Sequence, residues 1–366
     1  MKTKLYVAIA AIVALGMPVI AGAAIFGSLG NFDVVNDTGG TGHGFEIELE
    51  DLHSSDISDT FGGAGRGFPS TVERYGAPSI TEYTNGAIFG VRVTYQATFN
   101  SILGAWNVGT PSGVFNRPGD SCWTGGGIGY GPSTPCDHFG VGTVRNPSKT
   151  TYSWLVEATP GSPTLAKVVA NIPAPVWSVI PAPIVVGQPI APPVIVARIV
   201  APPPRPELPE PQFGTPLWVK VYTTEVENKV ELEDLVANNG IVLQARGKTE
   251  IEWQLLQTDP RNPAAGVLEN GGAAAVGRKA EAVIRRYEFF KYTGPLDPVD
   301  NQVKPLLGDS KPAPGELGDF IGAQNAALNF AVAAVPEPES YAMLLAGLAM
   351  IGGIAARRSK RGRIAG

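Results

Sequence analysis

The sequence predicts a mainly β protein: two β-sandwich-like regions joined by a Pro-rich extended segment, with an N-terminal signal peptide and a single C-terminal transmembrane helix. Three observations lead there. Glycine (45) and proline (33) are abundant among the 366 residues, and only 17% are charged, a balance that favours turns and short strands over long helices. Phe45, Ile47 and Leu49 alternate with Glu46, Glu48 and Glu50, and Phe89 to Phe99 alternates in the same way; period two marks half-buried strands. Prolines then crowd residues 171–213, a density that bars helix and suits extended backbone.

Residues 1–23 read as a signal peptide. Lys2 and Lys4 precede an uncharged run from Leu5 to Ala24, broken by Pro18 and closing on Ala21, Gly22 and Ala23. A basic start, an apolar centre and small residues before the cut are what signal peptidase requires, so cleavage is expected between Ala23 and Ala24. The alternative is an uncleaved anchor, since the run is long enough to span a bilayer. Export by the Sec route follows from the first reading.

The first β region covers 24–170. Cys122 and Cys136 flank a glycine-rich loop in it, and in an oxidising compartment they are expected to form a disulfide that contributes about 3 kcal/mol. Metal binding by these cysteines with His138 is disfavoured, because zinc-type spacing and a second Cys pair are absent. Residues 171–213 form the spacer, although Val194 to Val200 is apolar and β-branched and could pack as an edge strand. In the second region, 214–334, strands are expected at Trp218–Tyr222, Ile251–Gln257 and Ala282–Tyr292, with Arg285, Arg286 and Lys291 on the wet side.

The tail, 335–366, is the most informative part of the chain. Val335, Pro336, Glu337 and Pro338 precede an uncharged stretch from Ser340 to Ala356, which is followed by Arg357, Arg358, Lys360, Arg361 and Arg363. The stretch sits at the lower limit of the roughly 17–25 residues that cross a bilayer as a helix. The basic cluster would hold the C-terminus in the cytoplasm. The two prolines would leave the motif extended at the outer surface. This order resembles the PEP-CTERM sorting signal of Gram-negative bacteria. The resemblance implies transient anchoring in the inner membrane, processing by an exosortase-type enzyme, and a cell-surface or extracellular destination associated with exopolysaccharide or biofilm. It covers the tail alone.

The formal charge of the whole chain is −5. Setting aside the signal, with two positive charges, and the tail from Pro336, with five positive and two negative, leaves a body at about −10. An acidic body argues against nucleic acid as a partner. Candidate chemistry is sparse. His43, His53 and His138, with Asp137 beside the last, form no ligand-spaced motif. Gly119, Asp120 and Ser121 lack the following glycine of a nucleophile elbow. Gly247, Lys248 and Thr249 resemble the end of a phosphate loop without its first glycine. Asp51, Asp56 and Asp59, or Asp297 and Asp300 with Asn301, could hold Ca2+ weakly but lack EF-hand spacing.

No catalytic, cofactor or metal residues are therefore assigned. The expectation is a non-catalytic exported surface or matrix protein. The alternative is a secreted polysaccharide hydrolase, whose sign would be two carboxylates facing each other across an aromatic-walled cleft.

Overall fold

The computed structural model describes residues 24–36, 38–60, 75–108, 136–182, 191–201, 212–235, 250–262, 267–269, 276–331 and 346–351. Two compact units are distinguished. One contains 23–182 and 191–331; the other contains the two ends of the chain and 183–190. In the second, 346–351 is helical. Among the described residues no helix is long and apolar enough to cross a membrane.

The large unit is built of antiparallel strands. In chain order these are β1 (Ala24–Val35), β2 (Gly42–Glu50), β3 (Ile57–Thr60), β4 (Ser79–Asn85), β5 (Ile88–Gln96), β6 (Thr98–Asn100), β7 (Ala105–Asn107), β8 (Cys136–Thr143) and β9 (Thr150–Glu157). They continue as β10 (Leu165–Val169), β11 (Val176–Ile180), β12 (Val194–Val200), β13 (Leu217–Val226), β14 (Glu250–Leu256), β15 (Val267–Glu269), β16 (Ala282–Tyr292) and β17 (Leu317–Ala331). A seven-stranded sheet runs β14-β13-β16-β17-β1-β8-β3, and a five-stranded sheet runs β10-β9-β2-β5-β4. Three further strands, β11-β12-β15, and the β6-β7 hairpin complete the fold.

The mainly β class stands, but the two regions expected on either side of a spacer are not separate. Strands β1, β3 and β8 from before the proline stretch share one sheet with β13, β14, β16 and β17 from after it. The junction is the pairing of β1 with β17, in which Ala24 lies opposite Ala331 and Phe32 opposite Gln324. One hydrophobic core joins Phe32, Phe45, Val93 and Trp154 to Val219, Phe289, Leu328 and Phe330. The stretch read as a spacer contributes Trp177, Ile195, Ala197 and Ile199 to the same core. Its β12 pairs with β11 and β15, so the apolar run at Val194 to Val200 is packed down. Burial of these side chains outweighs the stiffness that proline would otherwise lend to a free linker.

Strand β2 places Phe45, Ile47 and Leu49 in the core and its glutamates on the opposite face, as its alternation predicts. The longer alternating run breaks at Ala97, between β5 and β6, where the Ala97 amide donates to the His43 carbonyl. Arg285 is the exception on β16. It shares the parity of the core residues Val283 and Tyr287, is 5% exposed, and donates to the Thr223 hydroxyl at 3.0 Å. The expected wet side is therefore wrong for this residue, and burial lowers its pKa.

Close backbone approach sets the glycine at position 90. A Cβ there would meet the Leu49 carbonyl oxygen at 2.4 Å and the Tyr83 ring at 2.9 Å. Gly90→Ala should cost about 1–3 kcal/mol, read as a lowered urea midpoint with unchanged slope.

Candidate functional site

The face of the five-stranded sheet turned away from the core carries the densest described cluster of charge. Register brings Glu48 opposite Arg92, Glu46 opposite Thr94, and Thr81 opposite Arg92. Arg92 Nε lies 2.9 Å from Glu48 and 3.6 Å from Glu46. Lys167 Nζ bonds Glu46 and lies 3.9 Å from Glu48. The Thr94 hydroxyl donates to Glu46 at 3.0 Å, and the Arg92 guanidinium sits 4.1 Å above the Tyr83 ring.

Electrostatics then decide what this pair of carboxylates can do. Partial burial pushes the Glu48 carboxyl up, but the Arg92 hydrogen bond and the charges of Arg92 and Lys167 outweigh it and leave the pKa below the usual range. Burial and the Glu48 charge push the Tyr83 hydroxyl up to about 12. A general acid for glycoside cleavage must hold its proton near neutral pH. Glu48 is held ionised and is therefore a poor general acid at neutral pH.

The sign of the pH effect follows. A carboxyl with a lowered folded pKa stabilises above its unfolded value and loses that contribution as pH falls through the folded one. Arg92→Ala should cost about 1–3 kcal/mol at pH 7, because it strips the half-buried carboxylate of its donor. The difference from wild type should shrink as pH falls below the ordinary Glu value of 4.5. Urea melts at pH 7 and pH 3.5 would read both.

The histidines are not gathered. His43 Nε2 lies 2.7 Å from Glu157 and the ring stacks on Trp106 at 5.2 Å. His53 is exposed and 3.5 Å from Glu82. His138, on β8, is buried and hydrogen-bonded to Asp33. Each ring thus meets its own carboxylate. Among the described residues no group of three or more His, Cys, Asp or Glu could hold a metal ion. Of the acidic loops considered for Ca2+, Asp56 pairs with Arg145, Asp297 with Lys304 and Asp300 with Arg261.

Between the sheets, Tyr152, Trp177 and Gln324 line a cavity of about 20 Å3 with Gly30, Leu49 and Thr143. That is room for one water and not for a sugar ring. Gln324 donates to the Tyr152 hydroxyl at 3.0 Å and ties β17 to β9 across the core.

Cys122 lies outside the described residues, as do Gly119–Ser121 and Gly247–Thr249. Cys136 opens β8 opposite Val35; its pairing with Cys122 therefore remains an expectation. Ala23 is also outside the described residues, whereas Ala24 opens β1. In the tail, Val335, Pro336, Glu337, Pro338, Arg357 and Arg358 lie outside them too.

Residues 334–361 match the family model of the PEP-CTERM protein-sorting motif. The tail carries the PEP-CTERM signature. The match takes in Val335 to Pro338 and reaches Arg357, Arg358 and Arg361. No curated protein and no solved structure matches the chain significantly. The PEP-CTERM motif indicates an exported protein that undergoes membrane-linked sorting and processing by an exosortase. Sequence reading located this signal but missed the Glu46–Glu48–Arg92–Lys167 cluster. The cue was the Glu-x-Glu-x-Glu alternation of β2, whose cationic partners are 44 and 121 residues away.

Proposed function

We propose that this is a non-catalytic cell-surface or matrix component, exported through Sec, held briefly in the inner membrane by its tail, and associated with exopolysaccharide after processing. The PEP-CTERM match at 334–361 is the observation that carries this reading. The acidic body argues against nucleic acid as a partner. The pairing of Glu46 and Glu48 with Arg92 on the five-stranded sheet favours contact over cleavage. Polar and charged side chains on one face of a sheet, with an aromatic ring among them, are suited to hydrogen bonding with sugar hydroxyls.

The test is to incubate the mature protein with exopolysaccharide from the producing strain and to follow both retention and release of reducing ends. Retention without new reducing ends is expected. New reducing ends that disappear when a facing pair of Asp or Glu is changed to Ala would overturn the non-catalytic reading. Absence of retention would overturn the polysaccharide partner. As part of the same export reading, Cys122 and Cys136 should be joined, and titration of the secreted, unfolded protein should find no free thiol.

A further inference from the structure

The β6-β7 hairpin holds two large aliphatic side chains out in water. Phe99 lies opposite Trp106 and Asn100 opposite Ala105, which leaves Ser101, Ile102, Leu103 and Gly104 as its tip. Ile102 is 93% exposed and Leu103 72%. A single exposed aliphatic residue is ordinary, but two side by side at the end of a projecting turn form a convex apolar point.

The hairpin is built to keep that point in place. At its base, the Trp106 ring stacks on His43 with centroids 5.2 Å apart, and the indole donates to the Ser162 carbonyl at 3.1 Å. Phe99 meets the same ring edge-on at 5.2 Å. At the tip, the Asn100 side-chain oxygen accepts from the Ile102 and Leu103 amides at 3.0 and 3.1 Å. Gly104, at φ 61°, supplies the left-handed residue that brings the chain back into β7.

We propose that this tip is a lipid-docking point, where Ile102 and Leu103 enter the apolar layer of a neutral bilayer. No charged residue occurs from 97 to 108, so insertion strips no ion of its water. Lipid also penalises unsatisfied backbone groups, and the amides of both inserting residues are already bonded to Asn100. Two side chains fall far short of the roughly 1,000 Å2 that a stable protein interface buries, which disfavours a second copy as the occupant. The acidic body is repelled by anionic headgroups, hence the neutral lipid.

Hydrogen exchange of the full chain, with and without phosphatidylcholine vesicles, tests this on peptides covering 97–108. Vesicles should slow exchange at 101–104 at least about tenfold, equally at low and high salt, because an uncharged contact is not screened. Ile102→Ser/Leu103→Ser should abolish the slowing while leaving the urea midpoint unchanged, since both side chains face solvent. Ile102→Phe/Leu103→Phe should keep it, because a bilayer accepts any large apolar group. The readout is local to the hairpin, so attachment to vesicles through the C-terminal tail alone would not produce it. Equal exchange with and without vesicles in wild type would overturn the proposal, as would slowing that survives the double Ser change or is lost in the double Phe change. Protection that arises without lipid as protein concentration is raised would assign the tip to a second copy and overturn it as well.

Discussion

Leu328→Asp is expected to unfold the whole body and not its C-terminal half alone. Leu328 is fully buried and packs in the same core as Phe32, Phe45 and Trp154. Loss of the Leu side chain costs about 2–5 kcal/mol. The buried carboxylate adds the penalty of an unpaired charge or of its neutralisation. Set against a typical domain stability of about 5–15 kcal/mol, this is enough to empty the native state of a marginal fold. Because β17 bridges β16 and β1, the loss should reach both halves of the sequence. Hydrogen exchange would show it: protection should vanish together in β2, β5 and β9 and in β13 and β16. Retained protection in the first group alone would mean that the halves fold independently.

The second large effect concerns sorting. Mature protein recovered from the cell surface should end near Val335, and the chain with Pro336, Glu337 and Pro338 all changed to Ala should keep Arg357 and Arg358. Proline bars helix and favours extended backbone, so an extended motif is expected here, and alanines would lift that bar. A processing enzyme that depends on a correctly placed extended peptide should then lose about a hundredfold in rate. Intact mass spectrometry distinguishes the two forms. Wild-type protein carrying its basic C-terminus at the surface would remove processing from the account, and normal cutting of the triple-Ala chain would remove the motif.

Strand β2 was legible because one of its faces is buried and the other carries glutamates, so its pattern has period two. Strand β17 was not legible. Its sequence, Gln324-Asn325-Ala326-Ala327-Leu328-Asn329-Phe330, lies in a strand buried on both faces and shows no clean alternation. Asn325 and Asn329 look like loop residues in sequence. In the fold they donate from their amides to the carbonyls of Leu235 and Val230, which hold the short turn 232–235 against the sheet. Arg285 misled for a related reason: a charged residue signals solvent, yet its parity on β16 turns it inward.

By itself the sequence determined the β class, the acidic body, the strands with one wet face and the sorting tail. Each of these depends on local composition or on residue types close together in the chain. Only the tertiary structure decided that strands from the two halves share one sheet and one core, that the described parts of the proline-rich stretch include β11 and β12, and that Glu46 and Glu48 meet Arg92 and Lys167. Strand pairing is a contest among many edges of similar hydrogen-bonding capacity. It is settled by which side chains can share a core, and β1 and β17, some 300 residues apart in the chain, do so only once the fold has closed.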